Sequence, residues 1–125
     1  MIAADTSTWI AYLKGDAGPD VDALDAALAG RHVLMPPVVL TELLSDPKID
    51  STVADTLREV PLVEVADGYW QRGGELRARV LAGRRKARLG DALIAQSCVD
   101  REIPLLTRDR DFIVFAKAAG LDLLR

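Results

Sequence analysis

Cysteine and histidine are almost absent from this 125-residue chain: each occurs once, as Cys98 and His32. One cysteine excludes an internal disulfide, and with a single histidine there is no Cys/His set that could hold zinc. Any metal site must therefore be built from oxygen. A serine–histidine–acid triad has no support either, because Cys98 reads as a core residue and His32 as a strand-edge residue. No stretch approaches the roughly 18 uninterrupted apolar residues of a membrane span, and the N-terminus has no basic leader segment. The expectation is a soluble cytoplasmic protein with no membrane partner.

Half of the residues are hydrophobic, enough to build one full core, so a single domain over residues 1–125 is expected. The net charge of −3 argues weakly against a polyanionic partner. Its distribution argues the other way. From Arg72 to Arg88, seven bases stand against one acid, Glu75, so this stretch carries +6 and the remainder −9.

Hydrophobic periodicity alternates between strand and helix. Strands are expected at Ile2 to Ala4, His32 to Met35, Leu62 to Val65, Pro104 to Thr107 and Leu121 to Leu124. Helices are expected from Ser7 to Lys14, from Pro19 to a stop at Gly30, from Pro37 to Leu44 and from Ser51 to Glu59. A long basic helix follows Gly68, with Gly73 and Gly74 inside it and Gly83 as a candidate stop. Two more run from Asp91 to Glu102 and from Asp111 to Ala119. Strands separated by helices imply right-handed crossovers, hence an α/β fold with a central, mainly parallel sheet of about five strands and helices on both faces.

Four acids stand where apolar runs stop: Asp5 after MIAA, Glu42 in PVVLTELL, Asp91 in RLGDALIA and Asp109 in IPLLTRDRDF. Carboxylates at the carboxyl ends of strands, or in the first turns of helices, face the crevice where open α/β sheets bind ligands. Each also has a plainer reading. Asp5 precedes Thr6 and Ser7 as a helix N-cap would. Glu42 lies opposite Leu40, Leu43 and Leu44, as a solvated glutamate would. Asp109 and Asp111 would complement a helix dipole. Asp91 shares a stripe with Ile94, Ala95 and Cys98, which turns its carboxylate toward the core side.

DTSTWIAYL at Asp5, the helical Glu42, GDALIA at Asp91 and LLTRDRDF at Asp109 resemble, in order and spacing, the successive motifs of PIN-domain ribonucleases, particularly VapC-type toxins. The resemblance spans almost the whole chain. It implies a PIN-like fold and an endoribonuclease dependent on Mg²⁺ or Mn²⁺, acting as the toxin of a type II toxin–antitoxin pair. Such a protein forms a homodimer and is silenced by a cognate antitoxin. The family's acidic positions fall on Asp5, Glu42, Asp91 and Asp109, with Asp5, Asp91 and Asp109 as metal ligands. Its accessory polar positions fall on Thr107 and Asp111, and Ser7 would orient Asp5 or a water. Either aspartate of TRDRD could supply the fourth acidic ligand.

Electrostatics points the same way. Two carboxylates about 4 Å apart repel by roughly 4 kcal/mol at an effective dielectric near 20, and several such contacts rival the ~5 to 15 kcal/mol that keeps a domain folded. A converged cluster must take up protons, spread into water or bind a cation. Mg²⁺ suits hard oxygen ligands, and the expected chemistry is attack of a metal-activated water on an RNA phosphodiester. An acidic pocket repels phosphate, so other charge must hold the strand. Arg77, Arg84 and Arg88 would align if the basic segment were helical throughout, and Arg85 joins them as a phosphate contact. The competing reading is an ordinary solvated face. Trp9 and Tyr12 suit either the core or a groove for an antitoxin's apolar segment.

Two other classes of function fit less well. A Mg²⁺-dependent phosphoryl-transfer domain would need a second aspartate after Asp5, or a lysine after the fourth strand. A non-catalytic binding module would leave the acids as scattered caps, without stabilisation by metal.

Overall fold

A computed structural model describes residues 1–124. Three short parallel strands form the regular part of the sheet: β1 (Ala3–Ala4), β2 (Leu105–Leu106) and β3 (Leu123–Leu124), in that order, with Ala3 opposite Leu105 and Leu105 opposite Leu123. The other two expected strands are each reduced to one parallel bridge, Ile2 to Val33 and Met35 to Leu62. Pro36 and Pro61 explain the brevity: each follows or precedes a bridging residue and has no N–H to extend the ladder.

Seven α-helices are present among the described residues: α1 (Thr6–Lys14), α2 (Pro19–Ala29), α3 (Pro37–Leu44), α4 (Ser51–Glu59), α5 (Tyr69–Ala82), α6 (Leu89–Asp100) and α7 (Ile113–Ala119). Local chemistry sets their ends. Asp5 caps α1 by accepting from the Thr8 N–H, and Gly15, at φ 77°, closes it in the left-handed conformation that glycine adopts without strain. Pro19 and Pro37 open α2 and α3, where a missing N–H costs nothing. A 3₁₀ turn, Arg110–Phe112, leads into α7.

α6 is the central helix. Ala92, Ile94, Ala95, Gln96, Ser97 and Cys98 are all buried, the pattern of a helix surrounded by protein. Burial pushes the Cys98 thiol up to about 12, as suits an inert core residue. α5 lies along α6 because Gly73 has no side chain: a Cβ there would come within 2.9 Å of Leu93 Cδ2. Farther along, the Arg72 guanidinium donates two hydrogen bonds to the Asp100 carboxylate, at 3.0 and 2.6 Å. The glycine pair thus sits in an unbroken helix.

The basic segment is not helical throughout. α5 ends at Ala82, Gly83 caps it, and Arg84 takes φ 58°. Arg77 therefore lies on α5, Arg84 and Arg85 in the connection, and Arg88 at the N-cap position of α6. The condition for aligning Arg77, Arg84 and Arg88 on one face is not met, because the helix ends at Gly83, the stop that the sequence offered.

Among the described residues, no helix is long and apolar enough to cross a membrane.

Candidate functional site

β1 and β2 run side by side, so the residues after them, Asp5 and Thr107, emerge at the same edge of the sheet. The Thr107 hydroxyl donates to Asp5 Oδ2 at 2.7 Å and accepts from the Asp109 N–H at 2.9 Å. Asp109 Oδ1 in turn accepts from the Asp111 N–H at 2.9 Å. This chain of bonds links residues more than a hundred positions apart into one rigid corner. Ser7 Oγ donates to both Asp5 oxygens, at 2.8 and 2.9 Å, and the Thr8 N–H donates to Oδ1 at 3.0 Å. Asp5 is thus both the helix cap and a member of the site.

Asp91 arrives from the first turn of α6 and Glu42 from α3. Glu42 is exposed, as its helical position suggested, yet its Oε1 accepts a 2.6 Å hydrogen bond from Thr6 Oγ1 and its side chain turns toward the start of α6. Gly90 admits that approach: a Cβ at this position would stand 3.3 Å from Glu42 Oε2. Asp5, Glu42, Asp91 and Asp109 line one pocket of about 220 Å³, with Ser7 and Arg88 beside them. The tightest group is Asp91, Asp109 and Asp111, whose carboxylate oxygens lie within 4.8 Å of one another.

The cost of convergence is visible in the protonation equilibria. Burial, and after it the charge of Asp109, push Asp91 up to about 6, against the pull of Arg88. Burial also raises Asp5, although the bonds from Thr107, Thr8 and Ser7 favour its ionised form. All the donors are oxygens, mostly anionic, the set that a hard divalent cation prefers.

Lys86 was counted in the basic segment, but nothing in the sequence pointed it at the acids. Its ammonium lies 3.0 Å from Asp111 Oδ2, carried there by the connection between α5 and α6. The Ala87 carbonyl next to it is held by Arg77 Nε at 2.8 Å. Arg77 therefore braces the loop, Arg72 is taken up by Asp100, and Lys86 neutralises part of the cluster. Arg84, Arg85 and Arg88 are exposed. Thr6 was also missed, since a side-chain partner 36 positions away leaves no periodic trace.

Residues 2–118 match the PIN domain family. The chain belongs to that family. Among PIN-domain relatives, VapC ribonuclease Mb1587 of Mycobacterium bovis is 29% identical, over 97% of this chain and 96% of its own length. Two solved structures share the fold. VapBC-5 from Mycobacterium tuberculosis, a member of the VapBC family of toxin–antitoxin systems, superposes with a TM-score of 0.70 at 21% identity, over 99% of this chain and 97% of the other. VapBC2 from Rickettsia felis, bound to a DNA fragment from the promoter, gives 0.73 at 21% identity, over 99% and 98%.

Proposed function

We propose that this PIN-domain chain is a VapC-type endoribonuclease toxin of a type II toxin–antitoxin pair, which hydrolyses RNA phosphodiesters with the help of Mg²⁺ or Mn²⁺. The observation that carries this reading is the convergence of acids from four separate segments on one pocket, with three carboxylates within 4.8 Å of one another. Scattered helix caps would not share a pocket. The relatives are ribonucleases by name, which favours a nuclease over a phosphoryl-transfer domain.

A bound divalent cation supplies Lewis acidity, lowering the pKa of water and offsetting charge on the phosphodiester oxygens. The chain's own residues do the rest. Asp91 and Asp109 would hold the cation, together with Asp5 at the sheet edge, and Asp111 would offer a further carboxylate whose share Lys86 limits. Ser7 and Thr107 fix the orientation of the Asp5 carboxylate and favour its ionised form against the burial that raises it. Glu42, held by Thr6, stands across the pocket where it can accept a proton from attacking water. No protein nucleophile is required.

The antitoxin reading is supported by the toxin–antitoxin assemblies among the structural neighbours and by an apolar groove on α1, α2 and α4. Trp9, Tyr12, Leu28, Val53 and Leu57 line it, with Trp9 buried and edge-on to Tyr12 at 5.9 Å. A cytoplasmic location and a homodimer fit the same reading.

The test is cleavage of a labelled single-stranded RNA in Mn²⁺ by the wild type and by Asp91→Asn and Asp109→Asn. Both variants should lose at least about a hundredfold in rate while keeping their helical circular dichroism. Wild-type cleavage by either would sink its assigned role, and no cleavage by the wild type in Mg²⁺ or Mn²⁺ would sink the nuclease.

A further inference from the structure

Beside the acidic pocket, between the end of α5 and α7, lies a second and larger cleft of about 540 Å³. Arg79, Arg85, Arg110 and Lys117 line it, Val80, Ile113 and Val114 contribute apolar surface, and no acid takes part. The four cations are exposed, and none makes an ion pair or a side-chain hydrogen bond among the described residues. Unpaired surface cations are ordinary one at a time. Four from four separate segments around one concavity are not, in a chain whose acids outnumber its bases. Arg72, Arg108 and Lys86 all have carboxylate partners. Here the fold leaves like charges together and uncompensated, which favours an anionic ligand.

The cleft adjoins the acids on two sides. Arg110 stands between Asp109 and Asp111 in the 3₁₀ turn, and Arg85 precedes Lys86, whose ammonium touches Asp111. We propose that this cleft seats the RNA nucleotides flanking the scissile bond, with phosphates on the cationic rim and a ribose or base against the aliphatic residues. This rests on the nuclease reading above and names the residues that hold its substrate. Arg77, assigned to RNA from the sequence, is spent on the Ala87 carbonyl, and Arg79 on the same helix takes its place. No aromatic side chain lines the cleft, so base stacking contributes nothing and binding is governed by phosphate charge, with little base preference and steep salt dependence.

The experiment measures fluorescence anisotropy of a labelled single-stranded RNA with the full chain in EDTA, across a series of salt concentrations. The double variant Arg79→Glu/Lys117→Glu should bind at least tenfold more weakly. The milder Arg79→Gln/Lys117→Gln should lower the slope of log K against log salt by about 1.4, since each phosphate contact to a single strand contributes roughly 0.7. With Mn²⁺ present, KM should rise and kcat stay near wild type. Lys48→Glu, an equal change of sign on another surface, should leave binding unchanged. Unchanged affinity and slope in both double variants would overturn the assignment, as would their loss of binding to an acidic peptide with RNA binding intact, which would make the cleft a protein site. RNA cleavage by a wild type whose cleft variants bind normally leaves the nuclease standing without the cleft. Cleft-dependent binding without any cleavage does the reverse.

Discussion

Replacing Asp91 by asparagine should stabilise the metal-free protein while destroying its activity, and the gain should appear only above mildly acidic pH. In the folded chain Asp91 titrates at about 6; in the unfolded chain an aspartate titrates near ~3.9. Between those values the folded state binds more protons than the unfolded one. Stability contributed by this group is therefore complete below about pH 4 and is lost as pH rises through 6. Two pH units at ~1.36 kcal/mol each would set a limit near 3 kcal/mol for a fully buried group. Asp91 is only half-buried and its neighbours are partly screened by water, so about 1 kcal/mol is the reasonable loss. For a domain of this size that is roughly 3 to 6 °C in Tm. Asp20, held at about 2 by Arg108, loses its contribution only below this window. The assay is thermal melting of the wild type and Asp91→Asn in EDTA from pH 4.5 to 7.5, then with Mn²⁺. In EDTA the wild type should fall behind the variant as pH rises; Mn²⁺ should reverse the order by stabilising only the wild type, by ~2.7 kcal/mol at a hundred times Kd. Parallel melting curves for the two proteins at every pH in EDTA would refute the claim that crowded carboxylates strain this site.

Lys86→Met should tighten Mn²⁺ binding in isothermal titration by up to about fivefold, because an exposed ion pair is worth ~0 to 1 kcal/mol and its loss frees Asp111. Lys86→Arg should behave as the wild type, and weaker binding by Lys86→Met would show that the ammonium supports the site rather than competes for it. Gly74→Ala should gain ~0.5 to 1 kcal/mol from helix propensity, since nothing lies within 4 Å of the new methyl group. Gly73→Ala should forfeit that gain, as its methyl would meet Leu93; equal urea midpoints would contradict the close packing of α5 on α6.

The acids were legible because each ends an apolar run, and a run that stops at a carboxylate marks the edge of a sheet or the first turn of a helix. Glu42 was legible only by family likeness: on its own helix it is an exposed residue, and what turns it inward is a hydroxyl 36 positions away. The helices were read nearly to the residue where proline and glycine bound them. Strand lengths were overestimated because a hydrophobic run reports burial, whereas a ladder also needs the N–H groups that Pro36 and Pro61 lack. Gly83 was legible as the end of the basic helix, but where the bases beyond it would go was not, because the charge pattern continues past the glycine although the helix does not. That reversal sends Lys86 to the acids and Arg85 toward residues of the 3₁₀ turn and α7, a grouping that no periodicity within one element could reveal.

Asp5 and Asp91 differ in what their loss would mean for the history of the gene. Truncating Asp5 strands three donors, from Ser7, Thr8 and Thr107, and uncaps the first helix, so a lineage that disarms itself there also makes less folded product. Change at Asp91 relieves repulsion and leaves a well-folded chain without its metal ligand. Well-folded but inactive copies should therefore arise more readily by change at the start of α6 than at the end of the first strand.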